Sequence, residues 1–362
     1  MSRVTDTYPF TVVNASSDQL PTQGEVSWRS PSNIALVKYW GKKPIQIPAN
    51  ASISFTLSDA HTNTTTAYQL RKSQAPFLKF YFEGRDNPAF AVRIEKFLKS
   101  LFPIMPWIEH YSWTIKSENS FPHSSGIASS ASSMSALALC LCDIENEILR
   151  QDTATFYKKA SYIARLGSGS AARSVFPTLC SWGEHESIVS SSDLYGTLYE
   201  GHHPIFSSFH DDIAIVSKEE KSVSSSAGHS LMDNNIFASS RYKQASQHLR
   251  DLLSSLESGN LSSFGKIVED EALTLHALMM CSDPSYVLME PNTLDIIKRI
   301  RTFRKDTGRH IYFTLDAGPN VHILYPDQEK EPINDFIKSE IQPLCEDGRI
   351  INDHVGPGPI KL

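Results

Sequence analysis

The chain has 362 residues and a formal net charge of −6, with 40% hydrophobic and 20% charged residues. Because single cores usually stop growing at roughly 250–300 residues, this length favours two domains. The composition is typical of a globular protein and excludes a disordered, fibrous or membrane chain. The acidic balance argues against a general nucleic-acid binder, which needs a basic surplus to neutralise phosphates.

The first ten residues, MSRVTDTYPF, have neither the basic end nor the apolar run of a signal peptide. The longest apolar stretches are far shorter than the about 20 residues that span a bilayer. We therefore expect a cytoplasmic protein without a membrane or nucleic-acid partner. The five cysteines are scattered with no C-x-x-C pair, which predicts free buried thiols rather than zinc or redox chemistry.

Residues 1–205 show strand patterns followed by one long helical pattern. Near-alternation of apolar and polar residues predicts strands over 53–70, 78–84 and 111–117. Apolar residues at spacings of three and four then predict one face of a helix, formed by Met134, Leu137, Ala138, Leu141, Ile144 and Ile148.

Residues 206–362 repeat this mixture. The patterns predict a strand at 212–217, amphipathic helices at 239–258 and 260–280, and a strand pair at 311–318 and 321–326. The class is α+β or α/β without uniform βαβ units. The polar stretch 190–209 is the best candidate boundary, which divides the chain into domains 1–205 and 206–362.

A serine-rich loop, FPHSSGIASSAS, lies between the strand ending near Ser117 and a helix expected to start at Ser129 or Ser130. A helix start presents unpaired N–H groups and a positive dipole end, so it can bind phosphate where small residues and Gly126 let the ligand approach. Ordinary N-capping by serine is the alternative. The chain contains no G-x-x-x-x-G-K-[ST] and no complete G-x-S-x-G, which argues against a P-loop NTPase and an α/β-hydrolase.

Two further segments carry groups suited to anionic ligands. PSNIALVKYWGKK gathers Lys38, Tyr39 and Lys42 within a few residues, although a solvated lysine face is the alternative. ARLGSGSAARS alternates glycine with Ser168 and Ser170 before Arg173, whose planar fork could bind a carboxylate.

A third segment, FTLDAGPNVH, places Asp316 at the end of an apolar strand beside a glycine turn. A carboxylate there can orient or deprotonate a hydroxyl, and a turn-forming aspartate is the alternative. The pair His202-His203 and the group His210-Asp211-Asp212 lack the spacing of a helical metal motif, so we expect them in surface loops and strand starts.

Taken in order, these motifs resemble the mevalonate diphosphate decarboxylases, which belong to the galactokinase, homoserine kinase, mevalonate kinase and phosphomevalonate kinase superfamily. The resemblance rests on NIALVKYWGKK, PANASISFTLS, FPHSSGIASSAS, ARLGSGSAARS, KSVSSSAGH, DAGPN and a late GPGP. It implies a two-domain α+β fold, with an N-terminal domain like ribosomal protein S5 and a C-terminal ferredoxin-like domain. It also implies a homodimer, and a reaction that converts mevalonate 5-diphosphate and ATP, with Mg²⁺, to isopentenyl diphosphate, ADP, phosphate and carbon dioxide.

The resemblance also implies roles for the residues singled out above. Asp316 would orient or deprotonate the C3 hydroxyl, Lys38 would pair with Asp316, and Arg173 would hold the substrate carboxylate. Ser130 would contact the magnesium ion. The diphosphate-side contacts would be Tyr39, Lys42, Ser168, Ser170 and Ser225, and the ATP phosphates would lie on Ser124, Ser125, Gly126, Ala128, Ser129 and Ser130.

Two departures from the family pattern leave alternatives open. His123-Ser124-Ser125 stands where Thr-Ala-Ala is common, and KSVSSSAGH ends in His229 where methionine is frequent. The second departure touches the substrate side, so a mevalonate 5-phosphate decarboxylase or a kinase of the same fold remains an alternative. A non-catalytic ligand-binding protein is the alternative from another class.

Overall fold

The computed structural model describes residues 4–14, 20–72, 75–121, 129–149, 152–219 and 225–362. The strands are, in chain order, β1 (Gln23–Val37), β2 (Lys42–Lys43), β3 (Ile47–Pro48), β4 (Ser52–Leu70), β5 (Leu78–Phe82), β6 (Arg85–Asp86), β7 (Tyr111–Asn119), β8 (Leu179–Trp182), β9 (Thr197–Leu198), β10 (Phe209–Ala214), β11 (Tyr312–Leu315), β12 (Val321–Pro326), β13 (Ile350–Ile351) and β14 (Ile360–Lys361). The α-helices are α1 (Pro88–Ser100), α2 (Ser129–Leu149), α3 (Thr153–Gly167), α4 (Ser225–Ser230), α5 (Ala238–Ser258), α6 (Leu261–Met280), α7 (Pro291–Thr307) and α8 (Lys330–Phe336).

A large mixed sheet forms the N-terminal part of the molecule. Its order is β14-β1-β4-β7-β5-β6. In addition, β8 pairs with the first residues of β4, and β9 pairs with β8. All of these pairs are antiparallel except β5 with β7. Helix α2 packs on β1, β4 and α3, and its apolar face joins Trp113 and Ile115 of β7 in one core cluster.

A four-stranded antiparallel sheet, ordered β11-β12-β10-β13, forms the C-terminal part. Helices α6 and α7 pack against β11, and α5 packs against α6. The α5–α6 turn follows from its residues: Gly259 adopts a left-handed φ of 72° at the end of α5, and the Asn260 side chain accepts a hydrogen bond from the Ser263 N–H.

The two sheets share a core. Ile34 of β1 and Phe55 of β4 belong to the same buried cluster as Phe209 of β10 and Phe264 of α6. Strand β14 also returns the C-terminal end of the chain to β1. The predicted boundary between 205 and 206 lies inside a short 3₁₀ turn, Pro204–Ser208, and the division itself stays a prediction.

The α+β class and the predicted strands and helices are confirmed. Sequence patterns did not predict α1, α3, α7 or the full length of β1. Four cysteines are buried as expected, whereas Cys281 is exposed. In the part of the chain described above, no helix is long and apolar enough to cross a membrane.

Candidate active site

Lys38 and Asp316 form an ion pair where the two sheets meet. Lys38 directly follows β1 and Asp316 directly follows β11, and α6 packs against both strands. The Lys38 Nζ lies 3.1 Å from the Asp316 Oδ1; the Lys38 side chain is only 2% exposed, whereas that of Asp316 is 27% exposed. A carboxylate that pairs with a buried ammonium and is still partly exposed can be reached by a hydroxyl group of a ligand.

Burial lowers the pKa of Lys38, and the negative charges of Asp316, Glu271 and Asp211 oppose that effect. Three carboxylates, from α6, from β10 and from the residue that follows β11, therefore act on one ammonium group. These negative charges compensate the cost of burying the positively charged Lys38 side chain.

The backbone of Lys38 is held by a second charged group that sequence patterns did not predict. Glu271 of α6 is fully buried, and its Oε2 accepts hydrogen bonds from the Lys38 N–H at 2.8 Å and from Arg241 at 2.6 Å. Its Oε1 accepts from Arg241 and faces His248 Nδ1, both at 2.6 Å. Burial raises the pKa of Glu271, but Arg241 and the hydrogen bonds outweigh it and leave that pKa at about 2.

Asp316 is positioned through its own backbone. His276 of α6 donates from Nε2 to the Asp316 carbonyl oxygen at 3.1 Å, and the Gly318 N–H donates to the same oxygen at 2.8 Å. Both Glu271 and His276 lie on α6, so this helix fixes the two partners of the Lys38–Asp316 pair. In the sequence, Glu271 and His276 are polar residues within the helix predicted over 260–280, and no pattern there indicated a role for them.

Arg173 is a buried cation with neutral partners. It lies in a 3₁₀ turn (Gly169–Arg173), is 2% exposed, and donates to Ser54 Oγ at 3.0 Å, Ser52 Oγ at 2.8 Å and Asn33 Oδ1 at 3.4 Å. Within the described ranges it forms no ion pair with a carboxylate. Burial lowers the pKa of Arg173, and the charges of Cys180, Asp316 and Tyr39 oppose this effect.

The neutral acceptors around Arg173 come from the two long strands, since Asn33 lies on β1 and Ser52 and Ser54 lie on β4. Alternation along β4 points both serines to one face of the strand. Their segments were singled out in the sequence, but no role was predicted for these three residues. The feature that could have indicated a role is that all three are polar residues at strand positions where the apolar neighbours predict burial.

Tyr39 directly follows Lys38, and its ring contacts Trp182, whose ring centroid lies 5.9 Å from the Arg173 guanidinium. Its ring centroid is 4.7 Å from that of Trp182 and 4.2 Å from that of His229, and its hydroxyl is buried with no hydrogen-bond partner among the described residues. A Cβ added at Gly169 would lie 2.9 Å from the Tyr39 hydroxyl, so glycine is required for this close approach. Lys42 is half-buried, and burial lowers its pKa.

The serine segments meet at one point. Helix α2 begins at Ser129, and the Ser130 Oγ lies 3.3 Å from the Ser168 Oγ. The Ser170 carbonyl accepts a hydrogen bond from Asn33 Nδ2 at 3.2 Å, which links this turn to the surroundings of Arg173. Ser124, Ser125, Gly126 and Ala128 lie outside the described residues, as does the side chain of Ser225 at the start of α4.

An apolar cavity of about 150 Å³ opens beside the start of α2. Three serines of α2 line it: Ser129, Ser130 and Ser133. The lining also includes aromatic and aliphatic side chains and one cation, among them Phe80, Phe82, Phe90, Arg93 and Ile94.

Asp211 and Asp212 lie near the start of a strand, as predicted, but they are not at the surface. Both side chains are 1% exposed on β10. Asp211 is paired with His322 Nδ1 at 2.9 Å, and Asp212 accepts from the Tyr325 hydroxyl at 2.5 Å. The physical reason is that β10 is a central strand of its sheet, so polar residues on it are buried and must be satisfied by neighbouring strands.

Comparisons with known proteins agree over nearly the whole chain. Residues 30–194 match the family model of the diphosphomevalonate decarboxylase-like N-terminal domain, and residues 213–357 match that of the mevalonate 5-diphosphate decarboxylase C-terminal domain. The diphosphomevalonate decarboxylase of Candida albicans is 28% identical over 91% of this chain and 96% of its own length. That of Aspergillus fumigatus is 26% identical over 92% of this chain and 84% of its own.

Solved structures give the same result. The crystal structure of mevalonate diphosphate decarboxylase from Staphylococcus aureus superimposes with a TM-score of 0.80 at 26% identity, covering 94% of this chain and 98% of that one. A second structure, described as MDDEF in complex with MVAPP, AMPPCP and magnesium, gives a TM-score of 0.79 at 25% identity, covering 94% and 99%.

Proposed function

The chain belongs to the diphosphomevalonate decarboxylase family, and we propose that it catalyses the ATP-dependent decarboxylation of mevalonate 5-diphosphate to isopentenyl diphosphate, with release of ADP, phosphate and carbon dioxide. One observation carries the proposal. A partly exposed carboxylate pairs with the buried Lys38, and the buried Arg173, which has no carboxylate partner among the described residues, lies over the Trp182 ring that contacts Tyr39, the residue after Lys38. These are the groups needed to activate a hydroxyl and to hold a carboxylate on the same small substrate.

Asp316 handles the C3 hydroxyl of the substrate. Its carboxylate accepts the hydroxyl hydrogen bond and takes the proton as the oxygen attacks the terminal phosphorus of ATP. Lys38 stays paired with Asp316 and stabilises the negative charge that develops on the transferred phosphoryl group. The Glu271–Arg241 pair keeps the Lys38 backbone in place during this step, because it binds both the N–H and the carbonyl of that residue.

Arg173 holds the substrate carboxylate for the second step. The C3 phosphate leaves with the electrons of its C–O bond, the bond to the carboxylate breaks, and its electron pair forms the new C=C bond. Arg173 fixes the carboxylate so that the breaking C–C bond is aligned with the departing phosphate. A kinase has no use for such a clamp, which is why the buried Arg173 supports decarboxylation over phosphorylation alone.

The phosphorylated end of the substrate is assigned to Tyr39, Lys42, Ser168, Ser170 and Ser225. The Tyr39 hydroxyl, which has no hydrogen-bond partner among the described residues, and the half-buried Lys42 ammonium support this assignment, since both offer donors to a phosphate.

The nucleotide is assigned to the start of α2. The described Ser129 and Ser130, with Ser124, Ser125, Gly126 and Ala128, would contact the ATP phosphates. The cavity beside them is smaller than the roughly 300–1,000 Å³ of a complete ligand pocket, so it suits the base alone. A magnesium ion bound by phosphate oxygens and water needs few protein ligands, and the exposed Ser130 hydroxyl fits as one of them. When bound, the ion would neutralise phosphate charge.

Carbon dioxide release from purified protein tests the proposal. With ATP and Mg²⁺ present, mevalonate 5-diphosphate and mevalonate 5-phosphate are supplied in parallel reactions, and ADP and carbon dioxide are both measured. We expect equal amounts of ADP and carbon dioxide from the diphosphate. ADP without carbon dioxide would identify a kinase, faster turnover of the monophosphate would change the assigned substrate, and no ADP with either compound would leave a ligand-binding protein.

The homodimer and the cytoplasmic location predicted from the sequence belong to this proposal as well. Light scattering of the purified protein tests the first, and fractionation of the source cells tests the second.

A further inference from the structure

A histidine of α4 lies within the proposed substrate site without a role in the reaction described above. His229 is 8% exposed and packs between two aromatic rings, with ring centroids 4.2 Å from Tyr39 and 4.7 Å from Trp40. The neighbouring Gly228 allows this contact, since a Cβ there would lie 2.6 Å from the Trp40 ring. The imidazole is therefore fixed in orientation.

One hydrogen bond determines which ring nitrogen carries the proton. The Gly41 backbone N–H points at His229 Nδ1 at 3.0 Å. A backbone N–H can only donate, so Nδ1 must be the unprotonated acceptor and the neutral ring carries its proton on Nε2. The doubly protonated ring could not accept this bond.

The surroundings favour the same state. Burial lowers the pKa of His229 to about 3, and the positive charges of Lys42 and Arg173 act in the same direction. The Nε2–H group has no hydrogen-bond partner among the residues the structure describes. It is therefore a neutral donor beside Tyr39, in the site to which Lys42 and Arg173 are also assigned.

We propose that His229 is a further substrate-contacting residue, whose Nε2–H donates a hydrogen bond to an anionic oxygen of the substrate beside Tyr39. The donor adds no charge, so it increases affinity for oxygen ligands without adding a third cation to the site. This inference rests on the proposed function, because it takes its substrate from that reaction.

Two amide variants separate the donor from the structural bond to Gly41. His229→Asn places an amide oxygen near the position of Nδ1, where it can accept from Gly41, but has no group at the position of Nε2. His229→Gln reaches the Nε2 position with an amide N–H and loses the Gly41 acceptor. The exposed His110 provides a matched control, His110→Asn.

The measurements are the KM and kcat for mevalonate 5-diphosphate, its dissociation constant by calorimetry without ATP, and the melting temperature. For His229→Asn we expect a near-native melting temperature and KM and Kd values raised about 10- to 100-fold, as for loss of a hydrogen bond to a charged group. His229→Gln is expected to lower the melting temperature and to keep KM within about threefold of wild type. The control should match wild type.

A His229→Asn variant with KM and Kd within twofold of wild type would overturn the inference, as would equal losses of affinity in both variants. The second result would show that the ring acts only through its bond to Gly41. Failure of the proposed function looks different, because wild-type protein would then release no carbon dioxide from mevalonate 5-diphosphate.

Discussion

Replacing Arg173 with methionine tests the central claim about this site, that a buried guanidinium is kept there for a substrate carboxylate. A guanidinium has five N–H donors. Three hydrogen bonds go to Asn33, Ser52 and Ser54, which leaves about two donors for the substrate. At about 1.5–3 kcal/mol for each hydrogen bond to a charged group, their loss amounts to about 3–6 kcal/mol.

That free energy corresponds to a fall in kcat/KM of about 10²- to 10⁴-fold, since each tenfold change is about 1.36 kcal/mol. The stability of the folded protein should change much less. Removing Arg173 loses three hydrogen bonds but also removes a charge that is 2% exposed and has no described carboxylate partner, and these effects oppose each other. We expect the melting temperature to shift by only a few degrees.

The assay is carbon dioxide release at varied mevalonate 5-diphosphate, with nucleotide affinity and melting temperature measured on the same protein. Arg173→Lys is the matched control, because it keeps the charge and loses the planar fork, and its kcat/KM should lie between wild type and Arg173→Met. A folded Arg173→Met variant with kcat/KM within tenfold of wild type would refute the carboxylate clamp. A large loss of melting temperature with unchanged activity would assign Arg173 to folding instead.

Three further changes test neighbouring parts of the site. Asp316→Asn removes the proton acceptor, so turnover should fall by about three orders of magnitude or more while ATP affinity, measured by calorimetry, stays near wild type; near-normal turnover would show the role to be wrong. Glu271→Gln should cost about 3–5 kcal/mol in urea unfolding at pH 7, because it leaves Arg241 buried without its partner. Since the folded pKa of Glu271 is lowered to about 2 from 4.5, its stabilisation is present above pH 4.5 and disappears as the pH falls towards 2, so the variant should lose less stability than wild type over that range. Gly169→Ala places a Cβ 2.9 Å from the Tyr39 hydroxyl and should raise KM for mevalonate 5-diphosphate about tenfold by displacing that ring; an unchanged KM would remove Tyr39 from the substrate contacts.

Local patterns in the sequence determined the main strands and helices of this protein and several of its candidate site residues. The strands β4 and β7 were predicted from alternating residues in 53–70 and 111–117, and α2 from the apolar spacing after Met134. Each of these elements buries one face, so its apolar residues recur with the period of a strand or a helix. The candidate residues Lys38, Arg173 and Asp316 were also visible, since each stands beside glycines or at the end of an apolar run. Their order along the chain was enough to indicate the family.

Only the tertiary structure decided which charged residues come together around Lys38. Lys38 and Asp316 are separated by 278 positions and meet because α6 packs against both β1 and β11. Asp211 was expected in a surface loop or strand start and Glu271 was not singled out, yet the central position of β10 and the packing of α6 bury both, and their charges act on Lys38. A local pattern records which face of an element is apolar, whereas the partner that compensates a buried charge comes from another element, so it is fixed only when the elements pack.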